Sequence, residues 1–77
     1  MKKLRSLMMD GEEFLVIGVF DVDDQDYIAL VKDQNIYLYR YLEHDDGTFE
    51  AFDIEDDQEF QNVVEEFEYI ENNQLWD

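Results

Sequence analysis

The stretch from Ile36 to Leu42 does most to constrain what this chain can fold into. It alternates Ile36, Leu38, Arg40 and Leu42 with Tyr37, Tyr39 and Tyr41. Successive side chains of a strand point to opposite faces of a sheet, so the alternation predicts a β-strand over Ile36 to Glu43 with an aliphatic row on one face and a tyrosine row on the other. Neither row suits bulk water along its whole length, and the sheet must therefore cover both faces at least in part. The tyrosine row has two readings. It is the half-exposed side of a sheet, where rings pair across strands and hydroxyls meet water, or it is a contact surface for another molecule. Arg40, set between these rings in sequence, is placed either to stack on a ring or to pair with an acid.

The flanking segments supply the rest of a sheet. Phe14, Leu15, Val16, Ile17, Val19 and Phe20 form a run rich in branched and aromatic residues, bounded by acids, which predicts a strand. Gly18 inside it marks a bulge or a close approach. Tyr27 to Val31 is a second strand, and Lys32-Asp33-Gln34-Asn35 has the composition of the turn that leads to the third. Asp46-Gly47 is a hairpin signal, because glycine accepts positive φ without steric cost. A fourth strand follows over Thr48 to Ile54, with Phe52 and Ile54 on one face.

The last element is a helix from around Asp56 to Asn72. Phe60, Val63, Val64, Phe67 and Ile70 recur on one helical face, while Glu59, Gln61, Glu65, Glu66 and Glu68 fall where water is expected. Asp56 with Glu59 three residues on forms a capping arrangement, and acids in the first turn suit the helix dipole. Asn72 or Asn73 is expected to end it, and Trp76 to fold back onto the sheet rather than stay exposed. The expected fold is α+β: a four-stranded antiparallel meander with one C-terminal helix packed on one face, ββββα, the helix contributing Phe60, Val63 and Phe67. Residues 1–11 are expected to be a flexible basic N-terminal segment and residues 12–77 a single acidic domain.

Size and charge limit the functions open to such a fold. A chain of 77 residues has room for one domain, burying roughly 60% of the surface its unfolded chain exposes. Five Lys and Arg against 22 Asp and Glu give a net charge of −17, and Lys2, Lys3 and Arg5 hold three of the five positive charges. An aromatic share of 16% separates the chain from an acidic disordered tail. The negative field repels nucleic acid, anionic lipid and a second copy, which predicts a monomer that binds neither nucleic acid nor membrane directly. There is no cysteine, so disulfides, thiolate metal sites and thiol nucleophiles are excluded. The apolar opening stretch ends at Asp10, too short for a signal peptide, and no run approaches the ~20 residues of a membrane span. A cytoplasmic protein is expected.

Chemistry-bearing residues are few. Ser6 lies near the terminus, Thr48 stands alone among its strand neighbours, and His44 sits in a turn between acids. No grouping of a nucleophile with a base, no pair of carboxylates in contrasting environments and no glycine-rich phosphate loop is visible, so no catalytic residue and no cofactor are expected. Asp21-Val22-Asp23-Asp24-Gln25-Asp26 resembles the opening of an EF-hand loop, but Asp26 stands where glycine is needed and Lys32 where a bidentate glutamate is needed. No dedicated metal site is expected beyond weak, non-specific cation association. Two function classes remain. One is a protein-interaction module without catalysis, contacting a partner of basic character through Tyr37, Tyr39, Arg40 and Tyr41 inside an acidic rim. The other is an acidic nucleic-acid mimic that occupies the basic site of a DNA- or RNA-binding protein, in which case binding collapses with salt.

Taken together, Tyr27-Ile28-Ala29-Leu30, Ile36-Tyr37-Leu38-Tyr39-Arg40-Tyr41, Asp46-Gly47 and Ile54-Glu55-Asp56-Asp57-Gln58-Glu59-Phe60 with Val63 and Phe67 resemble the small acidic bacterial proteins grouped as domain of unknown function 1292. The resemblance covers about residues 12 to 70. The basic start and a shorter loop between the second and third strands depart from the family pattern. What the resemblance implies is a shared fold and a bacterial, cytoplasmic origin; it brings no activity with it.

Overall fold

The computed structural model describes residues 5–76. It contains five strands, β1 (Arg5–Met9), β2 (Glu12–Val22), β3 (Gln25–Lys32), β4 (Asn35–Glu43) and β5 (Phe49–Phe52), followed by helix α1 (Asp57–Asn73). The strands form one sheet in the order β1-β2-β3-β4-β5, and each neighbouring pair is antiparallel. The α+β class and the meander agree with the sequence reading, but there are five strands rather than four. The additional strand comes from the segment expected to be flexible. Asp10 and Gly11, at φ 52° and 79°, turn the chain so that Leu7 lies opposite Phe14 and Met9 opposite Glu12. The basic residues Lys2 and Lys3 lie outside the described residues.

Two further hairpins use the same backbone solution without glycine. Asp23-Asp24 (φ 51°, 68°) joins β2 to β3, and Asp33-Gln34 (φ 52°, 69°) joins β3 to β4. Two successive positive φ values mark type I′ turns, whose twist matches that of the flanking strands. The connection around Asp46-Gly47 is longer. There the His44 N–H donates to the Thr48 carbonyl (2.8 Å), and the Asp46 carboxylate accepts from the Thr48 backbone N–H (3.0 Å) and hydroxyl (2.6 Å). These bonds hold the Asp46 carboxyl below the usual carboxylate pKa. The β5 strand is shorter than the expected Thr48 to Ile54. Ile54 leaves the sheet and packs against the core under the helix instead.

That core fills one face of the sheet. Phe20, Tyr27 and Ala29 meet Val63, Phe67 and Ile70 of α1, with Ile17, Val22, Leu38, Ile54 and Trp76 around them. Asp56 caps α1 by accepting the Glu59 N–H (2.8 Å), and Gln74 ends it in the left-handed region with its N–H on the Glu71 and Ile70 carbonyls. The stripe that packs is Val63, Phe67 and Ile70; Phe60, expected in it, is 42% exposed because it lies at the edge of the contact. Trp76 folds back as expected. Its ring sits 5.9 Å from Phe20 and 6.2 Å from Phe67, and its indole N–H donates to Glu71. Gly18 fulfils both of its readings: the β2–β3 register shifts between Val16 and Gly18, and a Cβ built at Gly18 would overlap the six-membered ring of Trp76.

On the other face Phe14, Ile28 and Leu30 are buried, surrounded by Leu7, Met9, Val16, Tyr37, Tyr39, Tyr41 and Ala51. No helix lies on this side among the described residues, yet Leu30 is 0% and Ile28 3% exposed. Such burial requires the sheet to curl around its own side chains. Accordingly, residues of β1 and β5, the two ends of the strand order, line a single groove.

Candidate functional site

The curl makes the tyrosine row the floor of a concave face. Tyr37, Tyr39 and Tyr41 project from β4 on the same side as Phe14, Ile28 and Leu30, as their alternation requires, and all three are half-buried. Tyr37 meets Phe14 edge-on at 5.5 Å, and Tyr41 packs against Phe49 of β5 at 5.4 Å. The Tyr41 hydroxyl donates to Glu43 (3.3 Å). Tyr39 lies between them, and its hydroxyl pKa is raised, first by burial and then by the negative charges of Asp53, Asp10 and Glu12. Asp10 and Glu12 border the β1–β2 turn, while Asp53 follows β5. Acids from both ends of the strand order thus bear on the same phenol, which stays a neutral hydrogen-bond donor.

The rim of this face is open. Met8, Met9 and Asp10 on one side and Gly47, Thr48, Phe49 and Ala51 on the other line a groove of about 550 Å³. Met8 is 65% exposed and Phe49 38%. Lys32 is ion-paired with Glu12, the cross-strand partner of Met9, and lies 5.8 Å from the centre of the Phe14 ring. The pairing raises the lysine pKa.

Arg40, expected to act with the three tyrosines, is on the other face. Its Nε and Nη2 donate to the two carboxylate oxygens of Glu59 (2.8 and 2.7 Å), so the acid-pairing reading holds and the ring-stacking one does not. The same carboxylate accepts the Tyr27 hydroxyl (2.6 Å). A bidentate guanidinium and a buried phenol both favour the ionised acid, and Glu59 is held below the usual carboxylate range, chiefly by Arg40. Burial and the bond to Glu59 push Tyr27 up to about 12. This trio clamps the first turn of α1 to β3 and β4. The sequence reading placed Glu59 in water as part of a helix cap and missed the trio. The signal that finds it is register: Tyr27 and Arg40 are direct partners across β3 and β4 on the face that receives the helix.

The remaining chemistry-bearing residues lie on separate elements. His44 pairs with Glu50 (2.6 Å) across the β4–β5 connection, remote in sequence from Ser6 on β1. Asp23 and Asp24 form the β2–β3 turn, and among the described residues no three His, Asp or Glu side chains are grouped to hold a metal ion. Among the same residues no helix is long and apolar enough to cross a membrane.

These features define a class: a small α+β protein whose single helix covers one sheet face while the other curls into an aromatic-floored, acid-rimmed trough. Within that class the chain belongs to the family described as "Protein of unknown function (DUF1292)", whose model matches residues 10–72. The match runs from the β1–β2 turn to the end of α1 and leaves out β1 and Trp76. No curated protein and no solved structure matches the chain significantly.

Proposed function

We propose that the protein is a non-catalytic, cytoplasmic protein-interaction module that contacts a basic partner through the concave face around Tyr37, Tyr39 and Tyr41. The observation that carries this reading is the open trough itself: half-buried rings at its floor and acids of Asp10, Glu12 and Asp53 about its central tyrosine. Aromatic rings in a partly desolvated hollow supply contact energy, and a surrounding negative rim speeds the encounter with a positive partner. Arg40 takes no part in contact in this reading, because its guanidinium is committed to Glu59.

The test is affinity capture with the full chain, washed at low and then high salt, beside Tyr39→Ala and Tyr41→Ala. A partner that survives high salt and is released by either substitution supports the module. Recovery of nucleic-acid-binding proteins alone, all stripped by salt and all insensitive to the tyrosines, favours the acidic mimic instead.

A further inference from the structure

The trough is bordered by the two strand edges that end the sheet, and their directions carry an inference that rests on the interaction reading above. In a five-stranded antiparallel meander the first and last strands run the same way, so β1 and β5 cannot close the sheet with an antiparallel ladder of their own. They nevertheless approach closely enough for Met8, Met9 and Asp10 to share a groove with Thr48, Phe49 and Ala51. A strand running opposite to both would be antiparallel to each and would satisfy the backbone groups that these edges leave open.

We propose that this groove takes an extended, basic segment of a partner protein, added as a sixth strand between β1 and β5. Alternation sets what the segment must carry. Met9, Phe49 and Ala51 turn toward the trough, as their register with Glu12, Glu43 and Tyr41 shows, so every second residue of the segment lies over the rings and is aliphatic or aromatic. The intervening residues emerge beside Met8 and its cross-strand partner Glu13 on one edge and beside Glu50 on the other. Lys and Arg suit those positions, their stems covering Met8 and their heads meeting the acids. A second copy of this chain is a poor occupant, since each copy carries a net charge of −17.

The experiment titrates isotope-labelled full-length protein with synthetic peptides of about ten residues. They alternate Lys or Arg with Val, Ile or Tyr. The controls are the same peptides N-methylated at alternate backbone amides, and a set with Glu in place of the basic residues. The expected result is saturable binding with amide shifts and exchange protection concentrated on Ser6 to Met9 and Phe49 to Phe52. N-methylation should weaken it at least tenfold and the Glu set should not bind. Equal binding by N-methylated peptides would overturn strand addition while leaving the tyrosine surface intact. Absence of binding by every peptide, beside a captured partner that depends on Tyr39, would likewise remove the strand and keep the module. Loss of both would end both proposals. Protection of the two edges without peptide, rising with protein concentration, would identify a second copy as the occupant and overturn the basic-segment proposal.

Discussion

Gly18→Ala tests the close approach of Trp76 to the backbone of β2. Gly18 is not in the left-handed region, so alanine meets no backbone strain there and would by itself gain about 0.4–1 kcal/mol through a less flexible unfolded chain. The obstacle is Trp76, whose ring occupies the space the new methyl needs. Displacing that ring forfeits its packing on Phe20 and Phe67, each aromatic pair contributing about 0.5–1.5 kcal/mol. The expected net loss is about 1–2 kcal/mol, and at roughly 4–8 °C per kcal/mol for a domain of this size the melting temperature should fall accordingly. Trp76 is the one tryptophan, so its emission should shift to the red in the folded variant. In a Trp76→Ala background the same substitution should be neutral or mildly stabilising. Urea unfolding of the four proteins gives the coupling directly. If Gly18→Ala costs as much without the indole as with it, the ring is not the reason for the glycine, and the bulged backbone of β2 is.

Glu59→Gln should lower the Tyr27 pKa from about 12 without returning it to 10, read by ultraviolet titration of the folded protein, because the Glu59 charge is lost while burial, the largest cause, and Asp23 remain to raise it. In the unsubstituted protein the raised phenol contributes stability that is whole below pH 10 and is lost as pH climbs through about 12, since the unfolded chain releases its proton first; alkaline unfolding followed by circular dichroism should show that decline. Gln34→Gly should stabilise by about 0.5–1 kcal/mol, as a side chain at φ 69° carries a steric cost that glycine avoids; thermal melts measure it. Added salt should raise the melting temperature by screening the self-repulsion of a chain at −17, and a salt-independent melt would show that the acids are too dispersed to repel.

The parts of the fold that can be read in the sequence are those in which one local rule decides the outcome. Alternation in Ile36 to Leu42 placed each side chain on its face, and the helix cap at Asp56 followed from one acid three residues ahead of another. The reading failed where a rule needed a partner to become visible. Ser6 to Met9 looked like a loose basic terminus because a four- or five-residue edge strand has little pattern of its own. Its evidence was the Asp10-Gly11 turn, the same chemistry that was recognised at Asp46-Gly47. Phe60 was drawn into the packed stripe by spacing alone, yet it stays 42% exposed while Val63, Phe67 and Ile70 make the apolar contact, and the sheet is met in the first turn by Glu59 instead. Pairing with an acid was one of the two readings of Arg40, but its partner Glu59 was placed in water, since their bond joins positions on separate elements whose approach no local pattern encodes.

The fate of the few cations bears on why such an acidic chain leaves a strand edge and a ring of tyrosines uncovered. Among the described residues the charged side chains of Lys32 and Arg40 are each tied to an acid of the protein itself, Glu12 and Glu59, and His44 is held by Glu50. With 22 Asp and Glu against five Lys and Arg, most of the acids have no cation of the chain to pair with. The same one-sided field guards the open edges. Exposed strand edges invite pairing with identical edges, and natural sheets commonly blunt them with charge. In this protein the blunting is global: two copies approaching edge to edge bring two large negative charges together, whereas a basic strand is drawn to the same place. In the strand addition proposed above, charge decides which strand can join the sheet, and the tyrosines of the trough reward the one that does.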